Sequence, residues 1–294
     1  MDIVAIVNPI SGAGMDPAVA GRRVETLHRE LRCRGAHADV HVTRGPGDAA
    51  ALARAARDRG VQLVLVWGGD GTVNEAGGAL VGSDTALGLI PAGSGNGLAA
   101  ALAIPRRPDA AIEAALSGRT RAIDVGFIGG RPFFNVAGVG FDAHVARLFN
   151  ARARGSRGRW PYVAIGVREG CSYRGRRYAL QLDGTAYTLC ALLIVFANGR
   201  EFGMGARIAP AADLQDGLLD AVIVEDRSVP RRFWDSRHLA LGTIARAPRI
   251  TTRPVRSARV ESSEPLEFHV DGEPAISQEP LEVSLRPGAL RVQR

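Results

Sequence analysis

Three stretches of small, hydroxyl and amide residues each follow a short apolar run: NPISGAG (8–14), GGDGTVNE (68–75) and PAGSGNG (91–97). Glycine lets backbone N–H groups come close to a ligand. Successive N–H groups form an anion nest, and a helix starting behind the loop adds its positive end. One such loop is also what an ordinary turn looks like. Three leaving a single sheet edge point to the phosphates of a nucleotide. The hydroxyls of Ser11, Thr43 and Thr72 and the amides of Asn8 and Asn74 suit phosphate or ribose, and equally suit turn and helix capping. All 37 residues counted as Lys or Arg are arginine, which excludes a Walker loop and a Schiff-base lysine. The first loop also lacks the GxGxxG of a dinucleotide fold.

A fourth candidate lies near the end. Asp271-Gly272-Glu273, in FHVDGE, sets a carboxylate on either side of a glycine, where a turning strand lets both face one cleft. The same residues can close a hairpin, as Asp183-Gly184 is expected to do in LQLDGTAY, and spacing alone favours that turn.

The frame for these residues is read from the apolar pattern. Strands are predicted at Ile3–Val7, Ala38–Val42, Leu63–Trp67 and Leu87–Ile90. Between them, Asp16 and Pro17 open a helix with Ala20, Val24, Leu27 and Leu31 at helical spacing and Gly35 at its close; a second helix runs from Asp48 towards Gly60. This alternation predicts an α/β domain with a parallel sheet. Near residue 125 the pattern becomes β-rich, which predicts an antiparallel β-sandwich, with helices only at Ala143–Ala153 and around Phe233–Ala245.

At 294 residues two domains are expected, and 46% hydrophobic with 23% charged residues is a globular composition. No run approaches the ~18 apolar residues of a spanning helix. The opening MDIVAIVNPISG lacks the pattern of a signal peptide, so a cytoplasmic protein is expected. Cys33, Cys171 and Cys190 are odd in number and far apart, which predicts neither a disulfide framework nor a metal site. His37 and His41 fall in a strand-like segment rather than on one helix face. The net charge of +7 is spread out and aromatics are only 5%, so nucleic acid is not an expected partner.

GGDGTVNEA, with NPISG upstream, PAGSGN downstream and the late FHVDGE, resembles the diacylglycerol kinase catalytic family, whose relatives include sphingosine and ceramide kinases and, more distantly, NAD kinases and phosphofructokinases. FFNVAGVGFDAHV (133–145), ANGREFGMGARIAPAADLQDGLLD (197–220) and the closing ALRV extend the resemblance over essentially the whole chain. It implies a phosphofructokinase- and NAD-kinase-like α/β domain over 1–124, with 286–294 returning to it. It also implies a lipid-substrate sandwich over 125–285, and a cleft between the two. The implied activity is transfer of the ATP γ-phosphoryl group, with Mg²⁺, to a lipid hydroxyl.

Carried onto this sequence, the resemblance implies ATP contacts at Asn8, Pro9, Ile10, Ser11, Gly12, Thr43, Gly68, Gly69, Asp70, Gly71, Thr72, Val73, Asn74 and Ser94. Ser94 stands where threonine is usual and Gly97 where an acid is usual. PAGSGN is closer to the sphingosine kinase form, which leaves diacylglycerol and a sphingoid base both open as acceptors. Asp271 is the implied base with Glu273 supporting or sharing the role. Asp70 is implied in organising the metal or the nucleotide loop. Asp213, Asp216 and the Leu218 carbonyl match a structural Mg²⁺ site. The arginine-rich RARGSRGR (152–159), beside Trp160, is the expected contact with an anionic inner membrane face. A soluble NAD kinase and a nucleotide-binding regulator without catalysis are the competing readings. No feature predicts the oligomeric state.

Overall fold

Ile3–Val7 is five buried apolar residues in succession, the pattern of a strand covered on both faces. It forms β1, at the heart of one of two compact units, residues 1–123 with 288–294. The structure, a computed structural model, describes residues 1–12, 17–151, 159–202, 206–244 and 247–294. Asp16, the expected helix cap, the arginines of 152–158 and Ala245 therefore lie outside the described residues.

Around β1 run α1 (Pro17–Cys33), β2 (Asp39–Val42), α2 (Asp48–Asp58), β3 (Leu63–Gly68), α3 (Asp70–Leu80), β4 (Ala86–Pro91), α4 (Gly97–Ala101) and α5 (Pro108–Ser117). The sheet order is β2-β1-β3-β4, with the end of β15 (Leu281–Gln293) beside β4 through Val292 and Leu87, all parallel. Ala49, Ala53 and Ala56 give α2 a buried stripe of small residues at helical spacing. Register then does the positioning. Val7 is level with Val42 and Trp67, and Trp67 with Ile90. The chain therefore leaves β1, β2, β3 and β4 at one carboxyl edge.

The second unit, residues 124–287, is built from the end of β5 (Thr120–Ile128), β6 (Arg131–Phe133), β7 (Val136–Gly140), β8 (Arg176–Leu182), β9 (Thr185–Ala197), β10 (Leu219–Glu225), β11 (Ile250–Val255), β12 (Ser257–Glu261), β13 (Leu266–Val270), β14 (Glu273–Ser277) and the start of β15. Its pairings are antiparallel. β9 pairs with β8 up to Ala191, then runs between β7 and β10. Period-two alternation places Ile194 and Phe196 of β9 in one core and Val195 and Ala197 in another, and the register shift opposite Val224 and Glu225 brings Ala191 into the first.

Three helices join this sheet: α6 (Phe141–Ala151), α7 (Arg159–Gly170) and α8 (Val229–Leu241). The first and last were expected, although α8 begins four residues earlier. α7 was not. Its RWPYVAIGVREG carries Pro161, Gly166 and the β-branched Val163, Ile165 and Val167, a poor helical sequence. Packing decides against propensity: Ile165 is buried and the Tyr162 ring meets Phe149 of α6 edge-on.

Candidate active site

In the first unit the three small-residue loops meet one another. Asn8 follows β1, its N–H bonded to the Trp67 carbonyl at 2.9 Å, and its side-chain amide donates to the Thr72 hydroxyl at 2.7 Å. The Asn8 carboxamide oxygen accepts from the Ile10 N–H at 3.0 Å, closing an Asx turn. Gly12 sits at φ +76°, and a Cβ there would lie 2.1 Å from the Ala92 carbonyl oxygen. A Cβ on Gly93 would lie 2.7 Å from the Gly69 Cα, and one on Gly95 2.6 Å from an Asp70 carboxylate oxygen. The glycines are thus required where loop meets loop, a demand that pattern reading assigns to the ligand alone.

Asp70 holds the third loop. Its two carboxylate oxygens accept from the N–H groups of Asn96 and Gly97 at 2.8 and 2.7 Å. Asn96, at φ +55°, braces the turn from inside by exchanging bonds with Gly93. Ser11, Thr43 and Thr72 are buried, whereas Ile10 and Ser94 are exposed at the loop tips. Thr43 donates its N–H to the Val7 carbonyl. All the expected nucleotide residues therefore belong to one sheet edge, with Gly71, Val73 and Asn74 in the first turns of α3.

One residue was not legible as a member of this group. Arg23, on α1, bonds the Asn8 carbonyl, the Ser11 hydroxyl at 3.1 Å and the Ser11 carbonyl at 2.6 Å. Burial pushes its guanidinium below the usual arginine range. In a chain with 37 arginines nothing local marks this one.

In the second unit, Asp271 and Gly272 form a two-residue turn between β13 and β14, both at positive φ (48° and 89°), as a type I′ hairpin requires. The turn and the candidate site are the same object. The Asp271 carboxylate accepts three backbone N–H groups, from Phe134 at 2.9 Å, Asn135 at 2.9 Å and Val136 at 3.0 Å. Its own N–H donates to the Val136 carbonyl. Asp183 does similar work at its own hairpin, accepting from the N–H groups of Arg256 and Ser257. Glu273, by contrast, is exposed at the start of β14.

Further bonds fix the turn. The Gly272 N–H donates to His269 Nδ1 at 3.3 Å, and the Asn150 side chain of α6 donates to the Gly272 carbonyl at 3.3 Å. Because Nδ1 accepts, the ring proton belongs on Nε2, which lies 3.2 Å from Asp142 Oδ2. This pair is 5% and 6% exposed, and Gly138 leaves the space for it. Burial, then the Asp142 charge, pushes the Tyr162 phenol up, so the ring beside the pair stays neutral. Removing the imidazole takes the Nε2 hydrogen bond from the buried Asp142 carboxylate, whose Oδ1 keeps the Ala143 N–H at 2.9 Å. His269→Phe is expected to cost about 2 kcal/mol of stability, read as a lower midpoint in urea; an unchanged midpoint would show that Asp142 does not depend on it.

Asp213, Asp216 and Leu218 lie in the loop before β10. Each aspartate uses Oδ1 to accept a backbone N–H two residues on, from Gln215 and Leu218. Asp124 Oδ2 accepts from the Gly217 N–H at 2.7 Å. Burial, then the Asp216 charge, pushes the neighbouring Asp220 carboxyl up. Among the described residues no group of three or more His, Cys, Asp or Glu side chains is arranged to hold a metal. The expected set consists of two carboxylates and a carbonyl, the hard-oxygen chemistry that a divalent cation takes, with one oxygen of each carboxylate already accepting a backbone N–H.

Residues 2–128 match the diacylglycerol kinase catalytic domain family, and residues 135–294 match the YegS C-terminal NAD kinase beta sandwich-like domain. A "probable lipid kinase YegS-like" protein of Chromohalobacter salexigens is 33% identical over 270 residues, 88% of this chain and 85% of the relative. A diacylglycerol kinase of Mycobacterium tuberculosis is 33% identical over 305 residues, covering 99% and 94%. In fold, the chain is similar to the crystal structure of a diacylglycerol kinase from Bacillus anthracis, at a TM-score of 0.73 and 20% identity, covering 99% and 96% of the two chains. With both units matched along their length, this chain is a kinase and belongs to the diacylglycerol kinase family of lipid kinases.

Proposed function

We propose that the protein transfers the γ-phosphoryl group of ATP, in the presence of Mg²⁺, to the hydroxyl of diacylglycerol or a closely related lipid. The observation that carries this reading is the trio of interlocked loops at one carboxyl edge, where phosphate binding to backbone N–H groups is favoured. Asn8–Gly12, Thr43, Gly68–Asn74 and Ser94 would bind the nucleotide, with Asp70 holding the third loop in place and Arg23 the first.

The two carboxylates of the hairpin do different work in this reading. Asp271 is engaged by three backbone N–H groups and acts as the anchor. Glu273 is exposed and accepts the proton of the attacking hydroxyl. Asp213, Asp216 and the Leu218 carbonyl would hold a Mg²⁺ ion. A bound cation there supplies charge neutralisation that steadies the loop before β10. The names of the relatives support the acceptor class; the PAGSGN loop keeps a sphingoid base in the test.

The test is transfer of labelled phosphate from ATP with Mg²⁺ to diacylglycerol, sphingosine, ceramide and monoacylglycerol in mixed micelles, with NAD in a parallel arm. Label in diacylglycerol is the expected result. Label in NAD alone establishes the soluble NAD kinase instead, and ATP binding without label in any arm means an acceptor outside the panel or a kinase fold that no longer acts as a kinase.

A further inference from the structure

Helix α8 is fixed from beneath. Arg227 and Asp235 pair at 2.7 Å with both side chains largely buried. Arg232 pairs with Asp226 and donates to the Gly170 and Tyr173 carbonyls at 3.1 and 2.6 Å, and the Phe233 ring ends beside Gly170, the last residue of α7. Nothing about this inner face leaves the helix free to turn its other side inward.

The outer side is unusual. Pro230, Trp234, Arg237 and Leu241 recur at helical spacing, and Trp234 and Leu241 are 66% and 67% exposed. The Arg237 guanidinium stacks 4.0 Å over the Trp234 ring and donates to the Trp234 carbonyl at 2.6 Å. Arg231 is exposed nearby, and neither Arg231 nor Arg237 pairs with a carboxylate among the described residues. The helix has a single acid, Asp235, and it is already neutralised. Next to α8, α7 exposes Val163 and Val167 one turn apart.

Charge selects the occupant. A two-fold contact with a second copy would set Arg231 and Arg237 against their own equivalents, with no exposed acid on the helix to answer them. An anionic bilayer answers both parts: the arginines meet lipid phosphates, and the tryptophan and leucine enter the headgroup boundary. We propose that the outer face of α8, centred on Trp234, Arg237 and Leu241, docks the protein on the surface of an anionic bilayer. A relay of contacts links this face to the candidate turn inside the second unit. Asn150 of α6 bonds Gly272, Phe149 of α6 packs on α7, and α7 ends against α8. The inference deepens the lipid-kinase reading, since the acceptor would be drawn from the same bilayer, but binding is measurable without transfer.

The experiment is co-sedimentation of the full chain, without nucleotide, on vesicles of phosphatidylcholine alone or with phosphatidylglycerol added. Binding to the anionic vesicles is expected, weakened by salt. Trp234→Ala should lower it about tenfold, and Arg237→Ala about fivefold on the charge alone, with thermal midpoints unchanged because both side chains are exposed. Equal binding by parent and variants, or by neutral and anionic vesicles, overturns the proposal. A parent that runs as a dimer in gel filtration while Trp234→Ala runs as a monomer assigns the face to a second copy instead. Failure of the kinase reading appears separately, as absent label in micelles with vesicle binding intact.

Discussion

Glu273→Gln is expected to fold like the parent and bind ATP like the parent, while transfer falls by about 10²–10⁴-fold, the range ascribed to a lost general base. Asp271→Asn is expected to behave differently. Its carboxylate presents two acceptor oxygens to the N–H groups of Phe134, Asn135 and Val136. A carboxamide has one acceptor and one donor, so at least one N–H must then face an NH₂ group. That mismatch costs about 1.5–3 kcal/mol and loosens the hairpin that carries Glu273. The expected signature is a lower urea midpoint together with a partial loss of turnover. Asp183→Asn is the internal control, because Asp183 holds the Arg256 and Ser257 N–H groups at a hairpin of the same kind. It should lose stability and keep its turnover per folded molecule. Turnover abolished in a fully stable Asp271→Asn, with Glu273→Gln still active, would transfer the base role to Asp271.

The contrast between those carboxylates marks the limit of reading the sequence. The pair itself was legible, as were the three loops, because residue type and position after an apolar run are local facts. The backbone engagement of Asp271 was not, because its partners lie more than 130 residues away and are supplied by the pairing of β13 with β7. Arg23 was hidden for the same reason: its value comes from reaching back over Asn8 and Ser11. Asp142 and His269 each sit inside a motif, yet only the fold brings them to 3.2 Å. Parallel order and sandwich were readable from alternation and burial. α7 was not, since its β-branched run is made helical by α6 packing against it. The glycines were read as ligand-facing, and the structure shows them also serving contacts between loops, a requirement no single loop displays.

That double duty makes a strong prediction about Gly12. Gly12→Ala must place a methyl group 2.1 Å from the Ala92 carbonyl oxygen while holding φ near +76°, so the first loop has to move off the third. Gly35→Ala separates the two causes. Its φ of +66° imposes similar backbone strain, but nothing lies within 4 Å of the added carbon. Left-handed strain alone is worth roughly 1 kcal/mol, so Gly35→Ala should lower the urea midpoint slightly and leave the KM for ATP unchanged. Gly12→Ala should lower the midpoint further and raise the KM for ATP at least tenfold, equivalent to about 1.4 kcal/mol of lost binding. The lipid KM should be less affected, because the displaced backbone belongs to the nucleotide edge. If Gly12→Ala binds ATP as the parent does, backbone contact between the loops is not what shapes the phosphate site, and the N–H groups of α3 and its approach, from Gly69 to Asn74, would have to bind the nucleotide without the first loop.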